Sequence, residues 1–248
     1  MSFSTPKSGA TLRDAVIAEF DWADADLTDA VFINCTITQA QFSNTVLDGV
    51  RFAQCRLVGC RMSHVEAREV AFEDCVLTDP ETHQGVEIAF SRLEQARFAN
   101  CDLSFARWER SDLYGLQMEA CNLRGARFDR LDLAKRFGRQ VVRTDSSFRR
   151  CNFHLAALAE LDLHGCDFNG SRFREADLSS ANLEDADLSD CDLFGANLAR
   201  AKLAGADLRR AEISGLNLEI LASRAKLKIT ASQQHALLAA LGVEVSLT

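Results

Sequence analysis

Apolar residues recur at every fifth position along almost the whole chain. One run steps from Leu12 through Ile17, Trp22, Leu27 and Phe32 to Leu77, a second runs from Ile88 to Leu133, and a third from Phe148 to Leu218. Every position on these runs is apolar, and most are Leu or Phe. We call this position the centre. Two residues before it stands a small or apolar residue, as in Ala181, Ala186, Cys191, Ala196 and Ala201. Neither a helix face, which recurs at 3.6 residues, nor a strand face, which recurs at two, explains such a period. Positions two apart in an extended segment share one face. The pattern therefore predicts short extended segments, each with two inward side chains, joined by a corner at every pentapeptide. Most glycines fall two residues after a centre, where a turn needing positive φ accepts them without steric cost.

Composition sharpens this picture. Among 248 residues there are only two prolines, Pro6 and Pro80, and neither lies inside a run. Proline would remove a backbone donor that stacked coils need. All nine cysteines occupy the position two before a centre, which predicts buried, reduced thiols acting as small apolar residues. The hydrophobic fraction of 47% is that of a folded protein. No stretch approaches the roughly 18 apolar residues of a spanning helix, and the start shows no secretory pattern. The expectation is a soluble cytoplasmic protein with no membrane contact. A net charge of −8 argues against direct nucleic-acid binding.

Two interruptions break the period. Residues 78–85, TDPETHQG, are polar and shift the phase by one; residues 134–145, AKRFGRQVVRTD, keep it but put Gly138 and Arg143 at the missing centres. Arginine cannot face a leucine-filled interior cheaply, so the second segment is expected to bulge as a loop. Its Lys135, Arg136, Arg139 and Arg143 alternate with Phe137, Val141 and Val142. That mixture fits either a tolerated insertion or a partner-contacting loop. Asp79, Pro80, Glu81, His83 and Gln84 are the candidate contacts of the smaller loop. Beyond Leu218 a helix is expected, with a capping box at Thr230 and Gln233 and a C-terminal cap at Gly242. Its apolar Leu237, Leu238 and Leu241, with Val243, are expected to cap the last coil and pair with a second copy.

Units such as Ala176-Asp-Leu-Ser-Ser and Ala181-Asn-Leu-Glu-Asp resemble the A-(D/N)-L-x-x signature of pentapeptide-repeat proteins. The resemblance implies an all-β fold, a right-handed quadrilateral parallel β-helix with four pentapeptides per coil and residues 20 apart stacked. Residues 1–11 then form a leader or cap, 12–218 the β-helix, and 219–248 a cap and dimerisation helix. Coils about 4.8 Å apart make a rod roughly 47 Å long. The loop spacing, the stretches Asp79–Gly85, Phe98–Ser104 and Leu237–Val243, and the terminal helix are similar to the plasmid-type quinolone-resistance (Qnr) group. The first run is longer than is usual for that group. This resemblance implies a homodimeric rod that mimics DNA, binds type II topoisomerases, chiefly DNA gyrase, and relieves quinolone poisoning, with both loops engaging the topoisomerase. The alternative is a β-helical interaction module with an unrelated partner.

A duplex carries one charge per about 1.7 Å, roughly 28 over such a length, so a chain of net −8 can mimic DNA only locally. Two tracts free of Lys and Arg are candidates: one with Asp21, Asp24 and Asp29, the other with Glu175, Glu184, Asp185, Asp187, Asp190 and Asp192. Aspartates just before a centre, such as Asp26, Asp177, Asp187 and Asp192, have a competing structural use, satisfying local backbone groups. Five scattered histidines, with no paired CxxC, HExxH or nucleophile elbow, predict no enzyme, no cofactor and no metal.

Overall fold

A computed structural model describes residues 6–79, 81–137 and 141–244, with the backbone alone at 136–137 and 141–143. The chain is a right-handed quadrilateral parallel β-helix whose four walls are built from pentapeptides in rotation. Wall 1 pairs Leu12 with Phe32, Phe52, Phe72, Phe98, Met118 and Phe148 in parallel register. Single bridges continue it through Asp167, Asp187 and Asp207 to Lys228. Wall 2 starts on Ile17, Ile37 and Leu57. Wall 3 stacks Phe42, Met62, Ile88, Trp108 and Phe128. Wall 4 is held by bridges only, from Asp26–Val46 to Lys202–Ser223.

The centres all point inward, and the interior is a pile of rings and leucines. Phe32, Phe52, Phe72 and Phe98 stack face to face with centroids 4.7–4.8 Å apart, the spacing of paired strands. Phe153 and Phe173 repeat the arrangement at 4.8 Å and 1°. The nine cysteines are buried and free. They do more than fill space, because each coil uses the small inner residue as a rung. The Cys55 thiol donates to the Phe32 carbonyl at 3.4 Å and accepts from the Cys35 amide at 3.4 Å. Ser171 takes the same place between Phe148 and Cys151 with its hydroxyl.

At many corners the amide three residues beyond a centre bonds back to the centre's carbonyl, as Ala181 does to Leu178 at 3.1 Å. The residue between sits at positive φ. Glycine meets that demand at Gly205, but Asp14, Phe105 and Leu155 adopt the same left-handed conformation. The coil imposes the geometry, at roughly 1–2 kcal/mol for each side chain.

The smaller interruption leaves the ladder intact, and across the larger one walls 1, 2 and 3 stay paired at Met118–Phe148, Asn122–Asn152 and Arg127–Ala157. The Val86 amide bonds to the Leu77 carbonyl at 2.8 Å, so Val86 serves as the inner residue before Ile88, and beside it Thr78–Asp79 pairs antiparallel with Gln84–Gly85. In the larger insertion Lys135–Phe137 pairs antiparallel with Val141–Arg143 as the two strands of a β-hairpin. Past Leu218 the coil runs on through Ser223 and Lys228, bridged to Lys202 and Asp207. A 3-10 turn, Ala231–Gln233, then leads into helix α1, Gln234–Ala240. The capping box at Thr230 is present. Gln233 also donates from Nε2 to the Leu208 and Ala211 carbonyls at 2.7 and 2.8 Å, satisfying an edge the last coil would otherwise leave open.

Candidate partner-binding surface

The two insertions leave the rod from diagonally opposite corners. The smaller emerges between walls 2 and 3, after Leu77; the larger between walls 4 and 1, after Leu133. Their exits are roughly 12 Å apart along the axis at 4.8 Å per coil, yet they fold toward one another. His83 reaches forward to Phe105, with ring centroids 5.2 Å apart. Lys135 reaches back to pair with Glu94, its ammonium 5.1 Å from the Tyr114 ring centroid. The two insertions thus frame the same middle coils.

Each is fixed at its base. Gly85 lies so close to the next coil that a Cβ there would stand 2.3 Å from the Ala106 nitrogen. Asp79 turns its carboxylate into its own loop, accepting from the Glu81 amide at 2.9 Å and the Thr82 hydroxyl at 2.8 Å. Those bonds hold Asp79 below the usual carboxylate range. Glu81 and Gln84 are exposed, and Pro80 lies outside the described residues. In the hairpin the Lys135 ammonium holds the Glu94 carboxyl below its ordinary value. Burial pushes neighbouring Asp112 up. Arg139 lies outside the described residues, as do the side chains of Arg136, Phe137, Val141, Val142 and Arg143.

The acidic candidates do not form one face. A tract of consecutive residues winds around all four walls, so its charges diverge. Asp21 and Asp24 lie on wall 3, Asp29, Glu184 and Asp185 on wall 4, Asp187 and Asp190 on wall 1, and Glu175 and Asp192 on wall 2. Several are also engaged. Asp187 and Asp192 accept from the Ser189 and Phe194 amides, Asp192 pairs with Arg174, and Asp190 pairs with Arg210 at 2.7 Å. The aspartate before a centre therefore has the structural use: Asp26 and Asp177 cap Thr28 and Ser179 in the same way. Stacking at the coil repeat gathers other acids. Wall 4 carries Asp48, Glu66, Glu69, Glu94, Asp112, Asp132 and Asp162 between Asp26–Asp29 and Glu184–Asp185, against Arg68, Arg92, Lys135 and Lys202. A count of charges at steps of one coil would have found this wall; a count along the chain cannot.

At the C-terminal end Leu237 is buried against the last coil, while Leu238, Leu241 and Val243 remain exposed. Among the described residues no group of three or more His, Cys, Asp or Glu is placed to hold a metal. Among the described residues no helix is long and apolar enough to cross a membrane.

The stacked pentapeptides define the class, and this chain belongs to the pentapeptide-repeat family. Residues 143–218 match the pentapeptide repeat region, and 8–44, 25–63, 40–79 and 91–130 match pentapeptide repeats (8 copies). Among solved structures the fold is similar to trypsin-treated QnrB1, described as a plasmid-mediated fluoroquinolone resistance protein, with 21% identity, 96% of this chain and 100% of that chain covered, and a TM-score of 0.71. Full-length QnrB1 matches at 19% identity over 94% of this chain and 100% of that one, TM-score 0.66. HetL, a pentapeptide-repeat protein involved in heterocyst differentiation regulation from the cyanobacterium Nostoc, matches at 22% identity over 88% and 90%, TM-score 0.53. No curated protein matches the chain.

Proposed function

We propose that this protein binds DNA gyrase and protects it from quinolone-type poisons. It acts by binding rather than by catalysis, in the cytoplasm, as a homodimer joined through Leu238, Leu241 and Val243. The observation that carries this reading is the pair of insertions anchored at opposite corners over the same coils, in a rod that also ends in a capping helix. A partner that grips a rod from two sides meets both. The whole-length likeness to QnrB1 supports the same reading, and the acid-rich wall 4 supplies the local negative charge that a DNA-binding surface would accept.

A gyrase supercoiling assay with ciprofloxacin tests it. The purified protein restores supercoiling under the drug, and a chain lacking residues 134–145 does not, while both give the same β-rich circular dichroism. Absence of gyrase binding together with absence of protection defeats the reading. Light scattering tests the dimer: Leu238→Lys with Leu241→Lys gives monomers, and a persisting dimer refutes that interface. The likeness to HetL favours a second reading, an interaction module with an unrelated partner, which is the one left standing if gyrase is not bound.

A further inference from the structure

Arginines on neighbouring coils usually meet acids. Arg92 reaches Glu66 at 3.3 Å, Arg210 reaches Asp190 at 2.7 Å, and Arg51 pairs with Glu73. Among the described residues arginine stands on arginine only on wall 3, where Arg107 pairs in register with Arg127 and the chain continues to Arg110 and Arg130. The second pair is relieved by its own neighbours, Glu109 and Asp129, each at 3.8 Å. The first is not. Arg107 has Glu87 at 3.7 Å, a carboxylate already held by Arg61 at 3.0 Å, and Arg127 has no ion pair among the described residues. Like charges directly opposite on neighbouring strands destabilise the pairing, and a fold that breaks a rule it otherwise keeps does so at functional sites.

Arg107 and Arg127, with Arg61 and its partner Glu87, line one groove of about 430 Å³ beside the smaller insertion, with His83 and Phe105 at its loop end. The Phe105 ring lies on the groove wall because residue 125 is glycine; a Cβ there would come within 2.9 Å of its Cδ1. Two stacked guanidiniums match the oxygens of a phosphate, and the two rings offer a surface on which a planar group can stack. The groove is within the size range of small-molecule sites and far too small for a duplex or a helix.

We propose that this groove binds the phosphate groups of a small anion, with Arg107 and Arg127 as the phosphate clamp. The source is either a nucleoside phosphate, whose base would rest on Phe105, or an inorganic phosphate.

Calorimetric titration of the full chain at low ionic strength, with ADP and with pyrophosphate as probes, decides. At least one probe binds saturably at one site. Arg107→Gln combined with Arg127→Gln weakens that binding by roughly a hundredfold, two charge-assisted contacts being lost, without lowering the thermal melt. Arg200→Gln, an exposed arginine farther along wall 3, leaves it within about twofold, as expected of a distant charge screened by salt. ADP binding tighter than pyrophosphate, with the advantage lost in Phe105→Ala, identifies the ligand as a nucleoside phosphate. Equal binding identifies it as inorganic. No saturable heat with either probe, or equal weakening by Arg200→Gln, overturns the proposal.

Discussion

The Tyr114 phenol donates a 2.6 Å hydrogen bond to the Asp145 carboxylate, tying the exit of the hairpin to the corner one coil below. The entry is tied to the same corner by Lys135, which lies over the Tyr114 ring and pairs with Glu94. One aromatic residue thus fastens both ends of the larger insertion. Tyr114→Phe keeps the ring and removes the bond. Hydrogen exchange at residues 134–145 should rise about tenfold, as expected for losing a bond to a charged group, while exchange in the coils stays unchanged. Equal protection in the two proteins would show that the fastening lies elsewhere.

The ring pile is the core's main reserve. Phe52 is fully buried between Phe32 and Phe72. Phe52→Ala should cost about 3–5 kcal/mol, read as a lower urea midpoint. Phe52→Leu should recover most of that loss. A loss below about 1 kcal/mol for the alanine, a conservative hydrophobic swap's cost, would mean the coil closes over the gap.

Two glycines separate steric from conformational cost. Gly165 has φ +67° and open space around it, whereas Gly85 has no positive φ and meets the backbone of Phe105 and Ala106. Gly165→Ala should cost about 1–2 kcal/mol from left-handed strain alone. Gly85→Ala should lower the melting temperature further and displace the smaller insertion. The reverse order of melting temperatures would contradict the close approach.

Acidification should release the hairpin. Glu94 is held below its ordinary value by Lys135, so its contribution is present above the unfolded carboxylate range, about pH 4.3, and disappears as pH falls through the folded value. The difference in thermal stability between the wild type and Glu94→Gln should be largest near pH 7 and shrink toward zero below about pH 4. A difference that grows on acidification would invert the sign and refute the pairing.

Much of this architecture is legible in the chain. The centres, the cysteine phase, both insertions and the capping box at Thr230 all follow from local spacing, because each repeat's environment is set by the same five positions. What local spacing hides is which repeats become neighbours. Asp187 and Asp190 are close in sequence but belong to an arginine-paired wall, while Asp48 and Glu69 share a wall with Asp112. Arg61 and Glu87 stack although 26 residues apart, since the smaller insertion stretches the step between them. Glycine was expected to mark the positive-φ corners, yet Phe105 and Leu155 occupy them too, because closure of the coil outweighs the preference of a single residue.

The bond from Val86 to Leu77 joins the coil across an interruption as though nothing stood between them. A corner of this kind is a socket: chain can be added or exchanged there while the rungs above and below keep their partners. New recognition surfaces can therefore arise in this fold by insertion at single corners, at heights along the rod set in steps of one coil, without a new core having to evolve beneath them.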